Sequence, residues 1–343
     1  GVRDARPEYL GIHTHLLQDA ITRVDRAYKA FFRRCKSGEK PGYPRFKGRG
    51  RYRTFTFKDV AHNNGAAVVS GGKRVRLSGV GNVRVRLHRP IAGKVKQVSV
   101  TLAGDRWYVG FVCDDVPQRL LPPTGREVGI DLGISCFVAT SDGEKIDNPR
   151  PYETAMAELG RAQRRVSRRQ RGSNRRRKAV AILAKKAEHV ANVRRNFHHE
   201  LAVYLVTLYD RIGIEDLNIK GLCRGFLAKQ VHDAGWGQFR QILVATAESA
   251  GREVSGQPAP GTSQICSNCG ALVPKGLGVR VHRCPYCGYV EDRDVNSAKN
   301  VLHSMQRGMG RILRGGVIVR CSDDPRSPCL AASGNGTMKS RNA

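Results

Sequence analysis

The chain has 343 residues and carries 60 Lys and Arg against 29 Asp and Glu, a formal net charge of +31. That excess excludes an ordinary enzyme of small molecules and points to a polyanionic partner, of which nucleic acid is the commonest. No run approaches the ~18 apolar residues of a membrane span, and no secretory or lipidation signal is present, so no membrane partner is expected. Of the ten cysteines, four fall in paired motifs and the rest are scattered, which suits a reducing compartment. A cytoplasmic, nucleoid-associated location is expected. The chain opens on Gly1 rather than Met and inside a charged segment, so an incomplete N-terminus is expected too.

From about His13 the pattern is helical. Leu16, Leu17, Ala20, Ile21, Val24, Ala27, Tyr28, Phe31 and Phe32 recur at three- and four-residue spacing, with Arg23, Arg26, Lys29, Arg33 and Arg34 among them. Pro41, Gly42, Pro44, Gly48 and Gly50 then forbid regular structure. In this stretch Arg45, Phe46 and Lys47 are expected to touch nucleic acid, the cations neutralising phosphate and the ring stacking on an unpaired base. Phe55 and Phe57 are assigned to a core instead. Residues 66–116 alternate apolar and basic positions with period two. A small antiparallel barrel or sheet is expected there, with one basic face of Arg74, Arg76, Arg84, Arg86, Lys94 and Lys96. Pro117, Pro122 and Pro123 mark a boundary.

Asp131 interrupts an otherwise apolar strand in EVGIDLG. A buried, unpaired carboxylate costs several kcal/mol, so Asp131 should bind a metal or a cation; a turn residue before Gly133 is the alternative. Next, Arg161, Arg164, Arg165, Arg168, Arg169, Arg171, Arg175, Arg176, Arg177 and Lys178 follow without an intervening acid. Such a run repels itself in a free helix and calls for a polyanion; a solvated charged face is the bland alternative. Gly172-Ser173-Asn174 is expected to break the region into a helical hairpin. Ile212 to Leu217 reads as a short buried strand holding Glu215 and Asp216. Residues 221–235 look like a mobile loop, and Trp236 to Ala250 like a helix.

Two Cys-x-x-Cys pairs follow, Cys266/Cys269 and Cys284/Cys287, each trailed by a glycine that lets the backbone turn its N–H groups toward a thiolate. The spacing suits one tetrahedral zinc ion, structural because four cysteines leave no open position; two structural disulfides or four buried thiols are the bland alternative. Directly after them Asp294 stands at a helix start, where it could simply cap the helix. Asp131, Glu215 and Asp294 are far apart in sequence, yet each lies on or beside an element that an α/β sheet could gather. A carboxylate cluster holding two Mg²⁺ ions about 4 Å apart would serve phosphodiester hydrolysis.

GIDLG at 129–133, IEDLN at 214–218 and TSQ-C-x-x-C-G…C-x-x-C-G…DRDVNSAKN at 262–300 resemble the three split RuvC motifs and zinc ribbon of the transposon-encoded OrfB/TnpB family. YPRFKGRGRYRTFTF and AGWGQF are similar to that family as well, and the match runs over roughly residues 15–305. The family's members are RNA-guided DNA endonucleases related to type V CRISPR effectors. The resemblance implies a multi-domain α/β protein with an RNase H-like (RuvC) core, an inserted four-cysteine zinc ribbon, an N-terminal helical segment and an antiparallel, β-barrel-like wedge. The expected divisions are 1–50 (helical recognition), 51–123 (wedge), 124–261 (core, with a basic helical insertion at 150–200), 262–290 (ribbon), 291–314 (end of the core) and 315–343 (disordered tail).

By the same resemblance Asp131, Glu215 and Asp294 match the catalytic acids, with Asp292 a rival that the Asp-x-Asn spacing disfavours against Asp294. The four cysteines match the zinc ligands, and the Arg161–Lys178 run matches a region beside a guide–target duplex. The implied partners are a guide RNA from the transposon end and target DNA. The opening is shorter than the family's, which implies loss of part of the wedge and recognition lobe. A non-catalytic nucleic-acid-binding regulator and an unguided structure-specific nuclease are the alternatives. A lineage freed from cutting would be expected to lose an acid, and none is lost here.

Overall fold

A computed structural model describes residues 6–48, 51–58, 60, 65–69, 72–103, 106–258, 261–276 and 278–314. The expected tail at 315–343 lies outside the described residues. The chain divides into two compact units, meeting in sequence at Pro117 and Gln118.

The first unit opens on helix α1 (Thr14–Lys36), whose N-cap His13 accepts a hydrogen bond from the His15 amide. Its apolar stripe is only partly covered: Leu16 packs on a core, whereas Ile21, Val24 and Phe32 are exposed. The one buried residue of the helix is Asp19, ion-paired to Arg23 at 2.7 Å. Strands β1 (Thr54–Lys58), β5 (Lys94–Ala103) and β6 (Arg106–Asp114) form one antiparallel sheet, and β2 (Ala66–Val68), β3 (Arg74–Leu77) and β4 (Gly81–Arg84) form another. Phe57, Val75, Leu77, Val98 and Val100 join a single buried cluster. The alternation expected from sequence is present in β3, with Val75 and Leu77 inward and Arg74 and Arg76 outward.

The expected barrel is not formed: among the described residues these are two three-stranded sheets, not a closed one. Strands of three or four residues in one sheet cannot match the ten- and nine-residue hairpin of the other, and closure needs matched lengths and stagger.

The second unit is built on a six-stranded sheet in the order β14–β11–β10–β7–β8–β9. Its strands are β7 (Glu127–Leu132), β8 (Cys136–Thr140), β9 (Lys145–Asp147), β10 (Arg211–Glu215), β11 (Glu253–Gln257) and β14 (Arg311–Ile312). β7, β8 and β9 are antiparallel, β10 runs parallel to β7, and β11 parallel to β10. The parallel joins need crossovers. Helices α2 (Pro151–Ser167) and α3 (Asn174–Leu208) supply the first, and α6 (Trp236–Ala250) the second.

Period two divides each strand between faces. Val128, Ile130, Ile212 and Ile214 face the main core with Leu201 and Leu205 of α3 and Phe239 and Leu243 of α6. Gly129, Asp131, Gly213 and Glu215 therefore point to the opposite face. There lies α7 (Arg293–Gln306), close enough that a Cβ on Gly129 would stand 2.1 Å from the Ala298 carbonyl oxygen.

The α2–α3 hairpin turns at Gly172 (φ +85°), and Ser173 caps α3 by accepting from the Arg176 amide at 3.2 Å. Residues 221–235 are not the loop expected from sequence. They hold the end of α4 (Ile219–Leu222) and all of α5 (Ala228–Ala234), with Val231 and Ala234 buried. Tertiary contacts fix this segment: the Asp233 carboxylate accepts from the amides of Tyr152 and Glu153 at the start of α2 and pairs with Arg194 at 3.1 Å. Between β11 and α7 the chain leaves for a small ribbon holding β12 (Val281–Arg283) and β13 (Val290–Asp292). Among the described residues no helix is long and apolar enough to cross a membrane.

Candidate acid cluster and four-cysteine site

Asp131 is the penultimate residue of β7 and Glu215 the last of β10. The strands pair in register up to Ile214↔Ile130, so the two acids sit at the next rung, on the α7 face. α7 brings the third. Its N-cap is Asp292, whose Oδ1 accepts from the amides of Asp294 (2.9 Å) and Val295 (3.3 Å) and whose carboxylate also pairs with Lys145. Asp294 is thus relieved of the capping role and lies buried in the first turn.

Burial drives the Asp131 carboxyl well above the usual carboxylate range, and the negative charges of Glu215 and Asp294 push it further the same way, with Arg293 opposing. Glu215 is raised by burial, against hydrogen bonds from the Thr262 and Ser297 hydroxyls. Asp294 has two guanidinium neighbours, Arg293 at 3.2 Å and Arg280 of the ribbon at 3.8 Å. The buried Cys136 thiol lies 3.9 Å from its Oδ2, and its pKa is pushed up to about 11 by burial first and then by that charge. Asp131 thus faces two further carboxylates on one side of the sheet, a charge that an added cation would relieve.

The cysteines form a tighter group. The sulfurs of Cys266, Cys269, Cys284 and Cys287 all lie within 4.8 Å of one another, and no other group of metal-ligating residues does so among the described residues. Cys266 and Cys287 stand 3.8 Å apart, Cys269 and Cys284 3.6 Å. A tetrahedral ion with Zn–S bonds of ~2.3 Å requires S···S edges of about 3.8 Å, so the residues fit such an ion. Gly270 (φ +77°) and Gly288 (φ +71°) donate back to the carbonyls of Cys266 and Cys284. The turns aim the Ala271 and Tyr289 amides at the sulfurs of Cys269 and Cys287. The Asn268 side-chain amide, first, and the Tyr289 amide hold the Cys287 thiol down to about 6.

The basic candidates divide. Arg161, Arg164, Arg165, Arg168, Arg175 and Arg177 are exposed on the hairpin, and among the described residues no carboxylate lies within ion-pair distance of them. Arg169 is half-buried. Arg176 is engaged internally, donating to the carbonyls of Val166 (2.9 Å) and Arg169 (3.2 Å) and so closing the C-terminal end of α2. Arg45, Phe46 and Lys47 are exposed in the first unit, Phe46 by 92%.

Residues 111–224 match the OrfB family model, described as "Probable transposase", and residues 236–301 match the Cas12f1-like TNB domain. A Streptomyces pristinaespiralis protein named "Putative RNA-guided DNA endonuclease" is 34% identical over 293 residues, covering 83% of this chain and 70% of that one. The chain belongs to the OrfB/TnpB family. A second relative, "Putative RNA-guided DNA endonuclease InsQ" of Escherichia coli K12, is 28% identical over 303 residues, covering 83% of this chain and 73% of its own. The cryo-EM structure of a Cas12f1–sgRNA–target DNA complex aligns over 61% of this chain and 45% of that chain, with a TM-score of 0.46 and 15% identity. The OrfB match contains Asp131 and Glu215, and the TNB match contains the four cysteines and Asp294.

Proposed function

We propose that the chain is an RNA-guided, Mg²⁺-dependent DNA endonuclease that hydrolyses phosphodiesters with Asp131, Glu215 and Asp294. The observation that carries this reading is the convergence of three acids from β7, β10 and α7 on one face of the sheet, with α7 capped by Asp292 so that Asp294 is left for the cluster. Their hard oxygens suit Mg²⁺. Two such ions would activate the attacking water and stabilise the leaving oxygen. The protein's own share is positional. Strands β7 and β10 fix the first two carboxylates side by side on the same rung, α7 delivers the third, and the raised proton affinity of Asp131 means that proton and cation compete for it.

On this reading the six-stranded sheet with α7 is the RNase H-like core, and the four cysteines hold one structural zinc ion. The two small sheets are the wedge. The exposed arginines of the α2–α3 hairpin would hold a guide–target duplex by its backbone. Arg45, Phe46 and Lys47 would meet phosphate and unpaired base. The names of the OrfB/TnpB relatives support RNA and DNA as partners, and the proposed guide derives from the transposon end.

The test is plasmid cleavage with Mg²⁺ by protein purified together with RNA from the flanking transposon end. Asp131→Ala, Glu215→Ala and Asp294→Ala are each expected to lower the rate by at least ~10²-fold. Undiminished cutting by Asp131→Ala would sink the reading. Cutting without RNA would leave the acids in place and point to an unguided nuclease.

A further inference from the structure

Glu215 is held by something the motif pattern does not assign. Two hydroxyls donate to its carboxylate, Thr262 Oγ1 and Ser297 Oγ (3.2 Å), and both donate to the same oxygen, Oε1. Among the described residues the other oxygen, Oε2, accepts no hydrogen bond. The two donors come from opposite sides of the ribbon. Thr262 is in the segment entering it, and Ser297 is in the first turns of α7, three residues after Asp294.

The entering segment is itself fastened to α7 by two asparagines one turn apart. Asn300 Nδ2 donates to the carbonyls of Thr262 (2.8 Å) and Ile265 (2.7 Å). Asn296, fully buried, donates to Ile265 O (2.8 Å) and accepts from the Ser267 amide (3.0 Å). Cys266 lies inside that fastened stretch.

We propose that Thr262 and Ser297 are positioning residues that fix Glu215 for a divalent cation, with α7 and the first cysteine knuckle acting as their common frame. This rests on the reading of the acids as a cation site. A glutamate has three rotatable bonds, and one end of a short strand does not choose among its rotamers. Two donors on Oε1 choose one, and they leave Oε2 with its lone pairs for the ion. Hydroxyl donors also suit the charged form, lowering a carboxyl pKa that burial raises. Asp294, Ser297 and the staples for Thr262 all stand on α7, so the helix sets the third acid directly and the second through hydroxyls.

Mn²⁺ binding, followed by the loss of the free-ion EPR signal, reads this without any turnover. The protein is used with its zinc in place, and zinc content and melting temperature are measured for each variant. Thr262→Val keeps the shape and removes the hydroxyl; it is expected to weaken Mn²⁺ binding about 10-fold, as loss of an outer ligand-orienting contact does. Thr262→Ser restores the donor and is expected to restore affinity. A Thr262→Val affinity within about two-fold of wild type, or a Thr262→Ser protein as weak as Thr262→Val, overturns the proposal.

If Thr262→Val loses its zinc or its melting transition, Ser297→Ala removes the second hydroxyl and carries the same expectation and the same overturning result. Wild-type protein that binds no Mn²⁺ sensitive to Asp131→Ala would instead overturn the acid-cluster reading, and this proposal with it. Saturable wild-type binding that ignores both hydroxyls overturns the positioning role alone.

Discussion

Burial and two neighbouring carboxylates raise the proton affinity of Asp131 when no cation is bound. Its folded pKa lies above the ordinary carboxylate value near 4, so the stability it contributes is present at low pH and is lost as pH rises through the raised value. The metal-free protein should therefore carry a penalty that grows as pH rises above the ordinary carboxylate value. Asp131→Asn is expected to raise the metal-free melting temperature by ~3–5 °C in alkaline buffer and by much less in acid, measured by calorimetry in buffer without added Mg²⁺ or Mn²⁺. At this scale the sequence was informative wherever chemistry broke a pattern. A carboxylate inside an apolar strand marked Asp131 and Glu215, and the cysteine spacing marked the four sulfurs. It was less informative where two like residues compete. The Asp-x-Asn spacing favours Asp294 over Asp292, and the cap hydrogen bonds that occupy Asp292 agree with that preference. Arg176 looked like its neighbours, yet it closes α2.

Between elements, α7 lies in close contact with β7. A methyl on Gly129 would meet backbone, the Ala298 oxygen at 2.1 Å and the Leu302 nitrogen at 2.4 Å. Backbone cannot step aside unless the helix moves. At Gly213, its partner across the rung, the same methyl would meet side chains, Val301 at 3.2 Å and Met305 at 3.4 Å. Gly129→Ala is accordingly expected to cost ~3 kcal/mol or more and Gly213→Ala about 1, both read from chemical denaturation. Equal costs would mean that α7 is free to shift. Helices and strands with a clean period, such as Trp236–Ala250, were legible from the chain alone. The seven-residue α5 was not, because its stability comes from Asp233 reaching α2 and Arg194 rather than from its own pattern. Barrel closure was beyond reach for a similar reason: alternation reports which residues point inward, not which edges meet.

For the whole molecule the dominant quantity is charge, +31 over 343 residues. Binding to RNA or DNA should release counterions and weaken steeply with salt. Replacing the exposed Arg164, Arg165 and Arg168 by Gln is expected to flatten the slope of log K against log salt by ~2–3, one phosphate contact each. Arg176→Gln should leave the slope unchanged, since that guanidinium is spent on carbonyls. Fluorescence anisotropy from about 50 to 400 mM salt measures both. The order of the acids along the chain has a consequence in time. Domains fold largely as they are synthesised, N-terminal parts first, and non-local contacts form late. β7 and β10 can pair while the ribosome is still adding residues, but α7 follows the ribbon and is the last helix among the described residues. On the reading of the acids as one site, a nascent chain holds only the first two of them while residues 216–293 are added, and the third carboxylate arrives only after the cysteines have emerged.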